Sequence, residues 1–100
     1  MDNALRLLKL DLGISTSAYD ESLTAYLTRS QAAIERQGIT LPTEETEDGT
    51  ALTIESTMLV VQYAAFLWRG RKGEDRRMPA SLRFDLNNLY IQQNGNGTEG

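Results

Sequence analysis

One hundred residues make one domain: enough chain for a single modest core and too little for two. A hydrophobic share of 40% with 24% charged residues is ordinary for a globular chain and excludes wholesale disorder. The net charge of −4 argues against a general nucleic-acid coat or a polybasic membrane binder.

With no cysteine and no histidine, the chain lacks a disulfide framework, a thiol nucleophile and the commonest metal ligands. It also lacks the commonest general base, so an enzyme is a poor fit and no cofactor is expected. No run approaches the ~20 apolar residues of a membrane span. Asp2, Arg6, Lys9 and Asp11 interrupt the first leucines, unlike the apolar stretch of a signal peptide. The expected compartment is therefore the cytoplasm.

The first predicted helix covers about Asp2 to Leu12. Leu5, Leu8 and Leu12 recur at helical spacing, Ala4 and Leu7 widen the stripe, and Asp2 is a candidate cap. Gly13 ends it and Ile14 returns to the core. Ser17-Ala18-Tyr19-Asp20 resembles a capping box, with Asp20 as the alternative cap. A second helix follows to about Gln37, with Leu23, Leu27, Ser30 and Ile34 on one face. Gly38 closes it, and Ile39 and Leu41 fold back as a clip before Pro42.

Thr43 to Gly49 contains Glu44, Glu45, Glu47 and Asp48 with no apolar residue, and reads as an exposed acidic loop. A third helix is predicted from Thr50 to about Arg69. Between Met58 and Trp68 only Gln62 is polar, so this helix must be surrounded and is taken as central. Twenty residues give it a length of ~30 Å. Arg69, Arg71, Lys72, Arg76 and Arg77 then form a basic loop broken by Glu74 and Asp75. A fourth helix starts at Pro79 and runs to about Gln92, with Leu82, Leu86, Leu89 and Tyr90 inward. Asn94 to Gly100 has no side chain suited to a core and reads as a flexible tail. The fold class is all-α: about four helices in a small bundle, with one domain over residues 1–93 and a tail over 94–100.

Each motif has a plain alternative. Gly70-Arg71-Lys72-Gly73 lacks the spacing of a phosphate-binding loop. Adjacent acids on exposed loops are not desolvated as catalytic acids are, and no calcium-loop pattern is present. Asn96-Gly97-Thr98 matches a glycosylation sequon by chance in a chain without a secretion signal. The basic loop carries half of the ten basic residues. It could meet DNA phosphates, but no helix-turn-helix pattern accompanies it. Trp68 beside Arg69 reads either as core or as an interface anchor.

Four blocks, in order, resemble the small head–tail connector (adaptor) proteins of long-tailed bacteriophages. They are Leu8-Lys9-Leu10-Asp11-Leu12-Gly13-Ile14 leading into Tyr19-Asp20-Glu21-Ser22-Leu23, then Ala32-Ala33-Ile34-Glu35-Arg36-Gln37-Gly38-Ile39. The third is Leu59-Val60-Val61-Gln62-Tyr63-Ala64-Ala65-Phe66-Leu67-Trp68-Arg69. The last, Met78-Pro79-Ala80-Ser81-Leu82-Arg83-Phe84-Asp85-Leu86-Asn87-Asn88-Leu89, carries most of the likeness. The resemblance covers about Leu5 to Gln93.

The resemblance implies a helical bundle without catalytic activity. It implies a ring under the portal protein in the virion, carrying stopper or tail-completion proteins around a channel that DNA crosses without specific binding. The free chain is then expected as a monomer that assembles on its portal. On this reading Trp68, Arg69, Arg71, Lys72, Arg76, Arg77, Asn94, Asn96 and Thr98 are candidate subunit or portal contacts. Glu44, Glu45, Glu47 and Asp48 are candidates for the channel wall or an interface. The alternatives are a small DNA-binding or DNA-packaging accessory, resting on the basic loop, and a generic helical interaction module.

Overall fold

The computed structural model describes residues 2–73 and 77–95. Among them are four α-helices: α1 (Asp2–Leu12), α2 (Asp20–Arg36), α3 (Ile54–Arg69) and α4 (Ala80–Tyr90). A two-stranded antiparallel hairpin, β1 (Thr43–Thr46) and β2 (Gly49–Leu52), lies between α2 and α3. A π-helical turn, Ile91–Gly95, continues from α4. The architecture is thus mainly helical with a small sheet, not all-α.

Helix α1 ends as its sequence dictates. Gly13 takes φ +73°, a left-handed conformation that costs glycine little. The Gly13 amide donates to the Leu10 carbonyl and the Ile14 amide to the Lys9 carbonyl at 2.9 Å. These two bonds are the Schellman pattern, and they satisfy carbonyls that the helix end would orphan. The start of α2 departs from expectation. Tyr19 holds the cap position without a side-chain cap bond, and Ser17 contributes only its carbonyl, to the Asp20 amide. Asp20, in the first helical turn, instead meets the Lys9 ammonium at 2.8 Å, which ties α2 to α1.

Helix α3 is the hub. It packs on α2 and α1 most extensively, and on α4 and β2 as well. Val60, Val61, Ala64 and Ala65 are buried, as are Leu8 of α1, Leu23, Leu27 and Ile34 of α2, and Leu82 and Leu86 of α4. Each fully buried Leu, Ile or Val side chain stabilises the fold by about 1.5–3 kcal/mol relative to exposure. Ile39 and Leu41 are buried, so the predicted clip after α2 forms. Ser30 sits on the buried face of α2 because its hydroxyl donates to the Tyr26 carbonyl at 2.7 Å, leaving no polar atom unpaired.

Two boundaries differ from those predicted, for related reasons. The acidic segment is a hairpin, with Thr43 opposite Leu52 and Thr46 opposite Gly49. Glu47 and Asp48 turn the corner, and Gly49 at φ +120° supplies the positive angle that no other residue there adopts. The Thr46 hydroxyl donates to the Gly49 carbonyl and accepts from the Asp48 amide, bracing the turn. The hairpin then takes Thr50 to Leu52 out of the third helix. Helix α3 starts at Ile54, where the Thr53 side chain caps it by accepting from the Ser56 amide at 3.1 Å. The Ser56 hydroxyl is buried and donates to the Pro42 carbonyl at 2.7 Å, pinning the hairpin's base to α3.

The C-terminal boundary also shifts. The Gln93 side chain pairs with both backbone groups of Thr40, accepting from its amide at 2.8 Å and donating to its carbonyl at 2.6 Å. Asn94, the expected first residue of the tail, donates to the carbonyls of Gly38 and Tyr90. The π-helical turn is therefore latched to the connector after α2. The rest of the expected tail, residues 96–100, lies outside the described residues.

Trp68 closes one end of the core. It is only 7% exposed. Tyr19 and Tyr26 meet it edge-to-face at centroid distances of 5.6 and 5.5 Å. Trp68→Ala is expected to cost about 3–5 kcal/mol of unfolding free energy, from lost burial and the residual cavity. Urea denaturation followed by circular dichroism checks this; a loss under ~1 kcal/mol would remove the residue from the core.

Candidate interaction site

The residues singled out from sequence fall into three groups, and the structure treats them differently. The first is the hairpin. Glu44, Glu45, Glu47 and Asp48 are all exposed. None of the four makes an ion pair among the described residues. The strands place Ala51 opposite Glu44 and Thr50 opposite Glu45, so no cross-strand cation offsets the carboxylates. Four negative charges are concentrated on five consecutive residues.

The second group, the basic segment, is divided between the fold and the solvent. Arg69 reaches back to α1, 3.1 Å from the Asp11 carboxylate and 3.3 Å from its backbone carbonyl. Arg71 folds over Trp68 with its guanidinium carbon 3.7 Å from the ring centroid, and donates to the Trp68 carbonyl at 2.7 Å. That one side chain caps the end of α3, covers the indole and complements the helix dipole. Lys72 and Arg77 are exposed and make no ion pair among the described residues. Arg76, like Glu74 and Asp75, lies outside the described residues. Trp68 itself is inside the molecule, which decides between its two sequence readings in favour of core.

The third group is C-terminal. Asn94 is held by the bonds described above, and Asn96 and Thr98 lie outside the described residues. The segment Gly70-Arg71-Lys72-Gly73 forms a turn at the end of α3 and builds no helix N-terminus that would cradle a phosphate.

Two surface features escaped the sequence reading. One is a groove of about 440 Å³ between α2 and α3, lined by Arg29, Ala32, Ala33, Arg36, Tyr63 and Leu67. Arg29 and Arg36 lie seven residues apart, two turns on one face, with the small Ala32 and Ala33 between them. That spacing was the available signal. The other is an apolar groove of about 440 Å³ between α3 and α4, lined by Pro42, Ile54, Met58, Leu59 and Leu89 with Glu55 and Asp85. Its signal was weak, since exposed Ile54 and Met58 occur in a helix expected to be covered on nearly all sides.

Among the described residues, no helix is long and apolar enough to cross a membrane, and no three potential metal-ligating side chains of His, Cys, Asp or Glu are gathered. No family model, curated protein or solved structure matches this chain.

The split within the basic segment is measurable. Arg71→Ala is expected to destabilise the fold by about 1–2 kcal/mol and to alter Trp68 fluorescence, because a stacked, hydrogen-bonded guanidinium is lost. Lys72→Ala is expected to stay within about 0.5 kcal/mol of the parent. Paired urea melts with fluorescence detection check this, and equal effects would contradict the division.

Proposed function

We propose that the chain is a structural protein of a bacteriophage head–tail junction, an adaptor whose copies form a ring beneath the portal protein and carry the stopper or tail-completion proteins. The reading rests first on the sequence blocks from Leu8 to Leu89 that resemble such adaptors. The structural observation that supports it best is the hairpin. A small helical core, closed on itself through α3, extends an exposed arm whose four carboxylates make no ion pair among the described residues and which contributes little to the core's own burial. Parts of that kind are spent on neighbours. A ring requires two different patches on each subunit, since each copy meets the next head to tail.

In this role Lys72 and Arg77, which make no ion pair among the described residues, are the candidate cations for a portal or subunit contact, together with Asn96 and Thr98. Arg69 and Arg71 act inside the subunit and shape that surface indirectly. Carboxylates on the channel side would repel the phosphate backbone and let DNA pass without adhering. The DNA-binding alternative loses support from the same geometry. With Arg69 and Arg71 engaged by Asp11 and Trp68, the basic segment offers fewer phosphate contacts than its sequence implies.

Deleting the gene from its phage is expected to yield filled or emptied heads lacking tails in electron micrographs. The purified chain mixed with its cognate portal is expected to add a second ring to the portal's face. Normally tailed particles from the deletion strain would overturn the proposal.

A further inference from the structure

We infer that the acidic hairpin docks into the Arg29–Arg36 groove of a second copy of this chain, making these two patches the complementary halves of a head-to-tail contact. The inference deepens the ring reading and rests on it for the choice of a second copy as occupant; the contact itself is argued from charge and shape.

The hairpin is the unsatisfied half. A two-stranded hairpin on its own is marginally stable in water. This one is exposed at every strand residue but Leu52. It is tied down at its base, through Pro42, Thr53 and Ser56, and braced at its corner by Thr46. Between these points, the like charges of Glu44, Glu45, Glu47 and Asp48 repel one another with no cation from the described residues beside them.

The groove is the other half. Arg29 and Arg36 make no ion pair among the described residues. The Arg29 guanidinium carbon stands 5.0 Å from the Tyr26 ring centroid, a cation–π contact that orients the fork and uses none of its N–H donors. The two arginines stand ~10.5 Å apart along α2, seven residues at 1.5 Å each. Glu45 in β1 and Glu47 at the corner are two residues apart, which the chain spans by at most ~7 Å. Two long, flexible guanidinium side chains span that difference. Ala32 and Ala33 keep the floor low enough for a narrow β-turn, and Tyr63 and Leu67 offer apolar surface to the hairpin's threonines. Arginine–carboxylate pairs of this kind are the strong, directional class of ion pair. Because donor and acceptor patches differ, the contact propagates from copy to copy and closes as a ring when the rotation permits.

The absence of cysteine makes the test direct. A chain carrying Asp48→Cys is mixed with a chain carrying Ala33→Cys under mild oxidation, and the products are separated on a non-reducing gel. The mixed disulfide dimer is expected to exceed either homodimer. Adding Arg29→Glu and Arg36→Glu to the Ala33→Cys chain is expected to lower its yield about tenfold or more, through like-charge contact. Adding Glu44→Lys, Glu45→Lys and Glu47→Lys to the other chain is expected to restore it. Circular dichroism melts establish that each variant folds, and Arg29→Gln with Arg36→Gln replaces the glutamates if they do not. No excess of mixed dimer, or an excess indifferent to charge reversal, would overturn the contact. Charge-sensitive mixed dimers from a chain that adds no ring to its portal would leave the contact standing and overturn the portal reading. Portal rings without the mixed dimer would do the reverse.

Discussion

Helix α3 is too apolar to stand in water, and taking it out of water is the constraint that organises the chain. Leu59 to Trp68 presents hydrophobic side chains on almost every side, so no single partner helix can cover it. α1 and α2 cover most of it and α4 closes part of the remainder. The ends of the arrangement are fastened by polar devices where apolar cover runs out. Lys9–Asp20 joins α1 to α2, Arg69–Asp11 joins α3 to α1, and Gln93 joins the π-helical turn to Thr40. The exposed ion pairs contribute at most about 1 kcal/mol each, so they fix orientation more than they stabilise.

That division of labour explains why charged residues of similar appearance end with different duties. Arg71 is committed to the indole of Trp68 and the last turn of α3, while Lys72, one position on, is left at the surface. The acidic residues divide in the same way. Asp11 and Asp20 hold helices together, whereas Glu44, Glu45, Glu47 and Asp48 hold nothing within the described fold. The proposed contacts draw on these surpluses, because charges that the described fold does not consume are the ones available to neighbours.

The helices were legible because their punctuation is local. Gly13, Gly38 and Pro79 bracket runs of 3.6-residue periodicity, and the observed boundaries of α1, α2 and α4 lie close to those marks. The hairpin was not, because strand periodicity is visible only when one face is buried, and here both strands face solvent. Its one local signal was Asp48-Gly49 between threonines, a common hairpin corner. Because the hairpin takes Thr50 to Leu52, α3 begins four residues later than its apolar pattern predicts. The latch of Gln93 and Asn94 was beyond sequence reasoning of this kind, since amide side chains that bond backbone more than fifty residues away leave no periodic trace. For the candidate site, sequence located the acidic arm and the basic segment. It could not tell which arginines the fold would consume, because Asp11 and Arg69 meet only in three dimensions.

The central claim is that a self-contained helical core, built around α3, carries a polar arm that the core does not need. Native-state hydrogen exchange resolved by residue tests it most directly. The account predicts that amides from Leu59 to Trp68 exchange only through global unfolding, while those of Thr43 to Leu52 exchange through local opening at far lower free energy. Hairpin amides as protected as those of α3 in the isolated chain would contradict it, since the arm would then belong to the core.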